Sequence, residues 1–242
     1  MDARIAQWLG CREQQEDAYI VRHFPKGTLA IVCDGMGGHD EGMLAARKAS
    51  ETFAEFVSSH IDWAVPKCLR CALDAANESI KKLFAATSRY GGTTLLAVFA
   101  GGGVLRWISV GDSPLLIWRG SRLIRLNEDH SMRAIYRRQL GSSLAENLIS
   151  RSGHMLRSAV TGEPLGLVDM PSMPYPLLPG DRIILASDGA EVVLDPAHLS
   201  VEMKRMLSNS SINLAAAIVE ACRALNDAHA DNTTVITIDC GV

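Results

Sequence analysis

Two periods of apolar and polar residues alternate along this chain, and the places where one gives way to the other mark out its elements. Short β-prone runs at residues 19–21 and 29–33 flank the turn signal Pro25-Lys26-Gly27-Thr28, which predicts a hairpin over residues 18–33. The second run ends in Asp34-Gly35-Met36-Gly37-Gly38-His39-Asp40-Glu41-Gly42. A carboxylate at a strand end there meets glycines that let a ligand approach the backbone. Together with an exposed Gly35 carbonyl it offers hard oxygen ligands to a divalent cation. A tight turn closing a hairpin is the plainer reading of the same residues.

The period then changes. Met43, Ala46, Ser50, Phe53, Val57 and Ile61 share one helical stripe, and Leu69, Leu73, Ala76, Ile80 and Leu83 share a second, so two long amphipathic helices are expected. Gly91-Gly92 breaks the pattern. Residues 93–100 and 104–110, joined through Gly101-Gly102-Gly103, read as a second hairpin that ends in Gly111-Asp112-Ser113. Residues 114–118 and 122–126, around Arg119-Gly120-Ser121, read as two further strands of the same meander, antiparallel because the turns are tight. A weaker helical pattern covers 131–151, and 152–176 reads as loop. Residues 182–186 form a short buried strand that leads into Ser187-Asp188-Gly189. Ile212, Ala215, Val219 and Cys222 mark another helix, and Asp231-Asn232 precedes a last strand at 233–238. No stretch reads as a linker, so one domain over residues 1–242 is expected.

Composition narrows the function. An apolar content of 48% with 21% charged residues suits a globular chain of 242 residues. A net charge of -3 without any Lys/Arg run speaks against nucleic acid or an anionic membrane as partner. No apolar run approaches the roughly 20 residues of a membrane span, and the first residues lead into no signal-like core, so a cytoplasmic location is expected. Cys11, Cys33, Cys222 and Cys240 lie in or beside apolar segments and read as reduced core thiols. Cys68 and Cys71, in a helical stretch with no second pair, read as packing rather than as a zinc or redox site. Neither glycine cluster suits a nucleotide: the first has Asp40 where a dinucleotide fingerprint needs glycine, and Gly101-Gly102-Gly103 lacks the Lys-Ser/Thr of a P-loop.

Asp34, Asp112, Asp188 and Asp231 all stand at strand boundaries. Acids at adjoining strand ends can converge, and several carboxylates within a few ångströms are tolerable only with cations among them. Oxygen-only donors favour magnesium or manganese over zinc.

The ordered set Arg12 with Glu16-Asp17-Ala18, Asp34-Gly35-Met36-Gly37-Gly38-His39, Gly92-Thr93-Thr94, Val110-Gly111-Asp112-Ser113, Asp129-His130-Ser131, Ser187-Asp188-Gly189 and Asp231-Asn232 resembles the metal-dependent protein phosphatases of the protein phosphatase 2C family, in their compact bacterial form. The resemblance implies an α+β fold, a four-layer α-β-β-α sandwich of two antiparallel sheets flanked by helix pairs. It implies hydrolysis of phosphoserine and phosphothreonine monoesters by a metal-activated water, with no covalent phospho-enzyme. Two Mn2+ or Mg2+ ions are implied, with a third, weaker site. By position, Asp34 resembles the carboxylate bridging two metals, with the Gly35 carbonyl on one, while Asp188 and Asp231 resemble ligands of the other. Asp17 with Glu16 matches the acidic pair around the metals and their waters, Asn232 accompanies Asp231 in a supporting place, and Asp112 with Asp188 matches the third site. Arg12 matches the arginine that grips substrate phosphate, which makes Arg12, Asp34 and Asp188 the implied catalytic set. A phosphorylated protein and an opposing Ser/Thr kinase are the implied partners of a monomer.

Some positions depart from the family pattern. Met36 stands where many eukaryotic relatives carry a histidine proposed as general acid, Pro114 where an arginine is usual, and Ala190 where a larger apolar residue is common. His39, past two glycines, reads as a cap of the turn or the following helix. Residues 129–166 correspond to the family's variable flap, whose Arg133, Arg137, Arg138 and Arg151 are either contacts for acidic or phosphorylated substrate or a solvated face. Two other functions suit the same chain: a non-catalytic phosphoprotein-binding module on this fold, and a hydrolase of small phosphoesters, which would differ only in the surface around the site.

Overall fold

Strand β3 (Gly27–Cys33) shows why the central runs are apolar throughout. Its Leu29, Ile31 and Cys33 pack toward helices, while Ala30 and Val32 pack toward a second sheet. Successive side chains point to opposite faces, so a strand covered on both sides has no polar alternation left to show. The computed structural model describes residues 2–37, 40–86, 89–139, 148, 152 and 155–241.

The strands in chain order are β1 (Asp2–Trp8), β2 (Ala18–Phe24), β3, β4 (Gly35–Gly37), β5 (Gly91–Thr93), β6 (Leu95–Gly101), β7 (Val104–Val110), β8 (Leu115–Arg119), β9 (Arg122–Arg125), β10 (Tyr175–Pro176), β11 (Arg182–Ala186) and β12 (Thr233–Asp239). One sheet runs β10-β7-β6-β3-β2 and the other β1-β12-β11-β8-β9, with all pairings antiparallel. Helices α1 (Glu41–Ser59) and α2 (Val65–Phe84) cover the outer face of the first sheet through Phe53, Leu69, Leu73 and Ile80. The short α4 (Glu191–Leu194), α5 (Val201–Ser208) and α6 (Leu214–Ala224) cover the second through Leu194, Met203, Leu207, Ile218 and Val219. Ser200 and Asn213 cap α5 and α6 by accepting from the N–H of Met203 and Ala216. Leu96, Val98, Leu105, Ile183, Leu185 and Ile236 fill the layer between the sheets. The four-layer α+β sandwich is therefore present, with a further helix, α3 (Met132–Gln139), beside its end.

The structure departs from the sequence expectations in several places. Strands β8 and β9 do not extend the meander of β7; they belong to the opposite sheet, and the chain crosses between sheets at residues 111–114. Gly91-Gly92 is not merely a breaker, since β5 pairs with β4 in a small ribbon, Gly35 opposite Thr93. Cys11 is exposed rather than in the core, its thiol donating to the Asp227 carbonyl at 3.4 Å. The helical pattern at 131–151 is met where residues are described, in α3 over Met132–Gln139 and at Leu148; Arg151 and most of 140–154 lie outside the described residues, as do Gly38 and His39.

Strand register gathers the acids. Val32 is opposite Leu96 and Leu95 opposite Val110, so Asp34 and Asp112 leave the first sheet at one end. Ala186 is opposite Val235 and Leu185 opposite Leu115, so Asp188, Asp231 and the crossover leave the second sheet at that same end.

Candidate metal centre

Asp34 is held in place through its backbone. Its N–H donates to Thr94 Oγ1 at 2.9 Å, and its carbonyl accepts from Thr93 Oγ1 and the Thr94 N–H, each at 2.9 Å. Thr94 Oγ1 also meets Ser113 Oγ at 2.7 Å, which ties the Asp34 strand end to the crossover carrying Asp112. Gly35 follows directly, and a β-carbon there would overlap the carbonyl of Gly42 in the first turn of α1 and the carbonyl of Glu16. Only glycine lets α1 press this close to the loop bearing Glu16 and Asp17.

Asp17 is buried, and its Oδ2 accepts from Ser187 Oγ and Thr234 Oγ1, each at 2.7 Å. Its Oδ1 is also buried and has no hydrogen-bond partner among the described residues. Asp188 opens a single 3-10 turn, Asp188–Ala190. A β-carbon on Gly189 would fall on the Asn232 carbonyl, so this turn lies against the loop of Asp231. Asn232 pins the opposite side: its Nδ2 donates to the carbonyls of Leu9 at 2.8 Å and Gln14 at 3.1 Å, and its Oδ1 accepts from the Glu16 N–H at 2.7 Å. Arg12 stands at the exposed rim, with Nη2 2.7 Å from Asp231 Oδ2.

The acids act on one another. Burial, then the charges of Asp17, Asp188, Asp112 and Asp231, pushes the Asp34 carboxyl well above its ordinary range. Burial pushes Asp17 up to about 7 against two hydroxyl bonds, with Asp188 and Asp231 adding to it. Asp112 is pushed up to about 7 by burial and then by Asp188, Asp129 and Glu191, with Arg133 opposing. Asp188 is raised by burial, Asp231 and Glu191, against Arg133 and a hydrogen bond shared with Asp34. Burial also raises Glu16, and Arg12 opposes it. The acids face one another without converging, since no three His, Cys, Asp or Glu side chains close on one point among the described residues. Asp231 is turned to Arg12 and Asp17 to its two hydroxyls. The fit to divalent cations rests on oxygen-only donors, concentrated negative charge and the unpartnered Asp17 Oδ1.

A cleft of about 530 Å³ opens beside Asp188 and Asp231, with Trp8 and Leu116 among its apolar lining and Arg125, Arg133 and Arg137 among its polar lining. Every acid named from sequence thus reaches this end of the sandwich, as do Arg12, Glu16, Gly35 and Asn232. Of the flap arginines, Arg133 is not free for substrate because it is paired with Glu191, whereas Arg137 and Arg138 are exposed. Sequence reasoning assigned no role to Thr94, Ser113, Ser187 or Thr234, although each sits in or beside a quoted motif. It passed over Arg125 and Glu191 altogether; the one available signal was an acid one turn beyond Asp188.

An acid-lined, oxygen-only site at the common end of a two-sheet sandwich, with an arginine at its rim, defines a metal-dependent phosphatase. Residues 12–233 match the model of the family described as protein phosphatase 2C, and the chain belongs to that family of metal-dependent protein serine/threonine phosphatases. Among its relatives is a serine/threonine phosphatase, stp, of Listeria innocua, 25% identical over 234 residues, which span 93% of this chain and 89% of that one. Among solved structures, the PPM Ser-Thr phosphatase MsPP of Mycobacterium smegmatis, in complex with cacodylate, superimposes with a TM-score of 0.78 at 28% identity, over 100% of this chain and 99% of that one. The catalytic domain of the phosphatase PstP, in complex with two manganese ions, shares the fold with a TM-score of 0.76 at 24% identity, over 100% of this chain and 98% of that one.

Proposed function

We propose that this phosphatase hydrolyses phosphoserine and phosphothreonine monoesters on proteins with two divalent cations, Mn2+ or Mg2+, held by Asp34, the Gly35 carbonyl, Asp188 and Asp231. The observation that carries the reading is the gathering of five acids, in which the charge of Asp188 raises Asp17, Asp34 and Asp112 while Asp231 raises Asp188 itself. The two manganese ions of PstP support the metal number. Bound here, the cations supply Lewis acidity that makes water nucleophilic near neutral pH and offset charge on the phosphoryl oxygens.

The chain's own residues do the rest. Thr93 and Thr94 hold the Asp34 backbone at the strand end, which sets where its side chain starts. Asp17, fixed on one oxygen by Ser187 and Thr234, presents the other to accept a proton from water and orient it. Glu16, whose pKa burial raises, is its neighbour in the chain. Arg12 is exposed and pairs with Asp231 through one nitrogen, which leaves a planar, permanently charged fork for two phosphate oxygens. With Met36 where a histidine could have stood, the leaving oxygen takes its proton from water or another group.

The substrate is a phosphorylated protein, so a Ser/Thr kinase must supply it. We assign the reaction to a single catalytic domain over residues 1–242, acting as a monomer in the cytoplasm. No helix among the described residues is long and apolar enough to cross a membrane. The test is phosphate release from a phosphothreonine peptide with Mn2+, with Mg2+ and with EDTA, for the wild type and Asp188→Ala. Turnover that needs metal and collapses in the variant is expected. A metal-loaded wild type that binds the peptide without releasing phosphate would overturn the proposal in favour of a binding module.

A further inference from the structure

Asp112 and Asp188 feel the charge of a cation that the chain itself supplies, Arg133, which lines the same cleft as Asp188. Ser131, directly before α3, donates through its N–H and its hydroxyl to Asp129 Oδ1 at 2.8 and 2.6 Å, which sets the first turn of α3 against the site. From that turn Arg133 donates to Glu191 Oε2, and both side chains are only 19% exposed. Glu191 Oε1 accepts from Arg125 Nη1 at 2.9 Å, and the same nitrogen reaches Asp129 Oδ2 at 3.4 Å. Arg125 Nη2 donates to the Asp112 carbonyl at 2.6 Å. Two guanidinium groups are thus clasped by one carboxylate that lies one turn past Asp188, and both line the cleft that Asp188 also lines.

We infer that the Arg133 guanidinium, clamped by Glu191 and Arg125, takes the place of the third divalent cation expected between Asp112 and Asp188, so that this enzyme binds two metals and not three. Like charges repel strongly across a few ångströms of protein interior, and a divalent ion between these acids would sit beside Arg133 and near Arg125. A guanidinium cannot leave by losing its proton. Displacing it would strip Glu191 of one of its two partners in a half-buried setting. The charge balance agrees: burial works against the Arg133 cation, but Glu191, Asp112, Asp188 and Asp129 outweigh it and raise its pKa. The arrangement also ties the first helix of the flap to acids of the catalytic end.

The inference rests on the two-metal reading proposed above, and counting bound manganese separates the two. Calorimetric titration and electron paramagnetic resonance of Mn2+ with the full chain are expected to give two equivalents for the wild type and for Arg133→Lys. Arg133→Met should gain one further, weaker equivalent, and the double variant Arg133→Met/Asp112→Asn should lose it. A third equivalent in the wild type that Asp112→Asn removes would overturn the inference and leave the two-metal reading standing. Only two equivalents in a folded Arg133→Met would also overturn it. Should Arg133→Met fail to fold, the comparison of wild type with Asp112→Asn still decides. No bound manganese in the wild type would overturn the two-metal reading and this inference with it.

Discussion

Asp17 and Asp112 are carboxyls held up to about 7 chiefly by burial, and this sets a pH dependence whose sign is fixed. An acid whose pKa rises on folding favours the native state while it stays protonated. Its contribution is complete below the ordinary carboxylate value near 4 and is lost as pH rises through about 7. In EDTA, the thermal midpoint of the chain is therefore expected to fall between about pH 4 and 7. Saturating Mn2+, which binds the ionised acids, should flatten or reverse that slope; a differential scanning fluorimetry series at constant ionic strength reads both curves. Ser187 supports the same carboxylate and also accepts from the Thr234 N–H at 2.9 Å. Ser187→Ala should cost about 1–3 kcal/mol by urea denaturation. It should also weaken manganese binding, because Asp17 then loses one of the two groups that orient it.

Among the elements, the loops decide more than the strands. The loop carrying Arg12 and Glu16 has little packing of its own and is fastened by the side chain of Asn232 to the loop that precedes β12. Asn232→Ala removes all three bonds and is expected to cost about 3 kcal/mol. The KM for a phosphopeptide should rise more than kcat falls, since Arg12 loses its position while Asp34 and Asp188 keep theirs; steady-state kinetics separates the two. Crossing between sheets at residues 111–114 has a similar consequence, because it puts Asp112 between the sheet ends instead of in a hairpin turn.

Across the whole molecule, three apolar layers share the strands between them. Because β3, β6, β8 and β11 contribute to two layers each, damage to one outer layer should be felt by the other. Phe53→Ala, in the layer under α1, is expected to cost about 3–5 kcal/mol. Calorimetry should show one cooperative transition shifted as a unit; two separate transitions would contradict the assignment of one domain.

Periodicity and turn chemistry made much of this legible. The stripes from Met43 and Leu69 produced α1 and α2, and Pro25-Lys26-Gly27-Thr28 produced the β2–β3 hairpin, because burial of one helix face and the geometry of a tight turn are local properties. The acids beside glycines were readable for the same reason. Other features were not written locally. A residue such as Leu115 packs equally well in either sheet, so nothing in its neighbours says that β8 pairs with β11. Cys11 borders an apolar run yet lies on an exposed loop, because the chain leaves the sheet just before it. The pairing of Arg133 with Glu191 joins residues far apart in the chain, and no spacing rule announces it.

By itself, then, the sequence determined which segments coil, which extend and where carboxylates end strands, since those outcomes depend on a few neighbouring side chains. Only the tertiary structure decided which strands share a sheet, that their acidic ends point the same way, and that Glu191 holds Arg125 and Arg133 at that end. Those outcomes come from packing two sheets together, where every long-range contact depends on all the others.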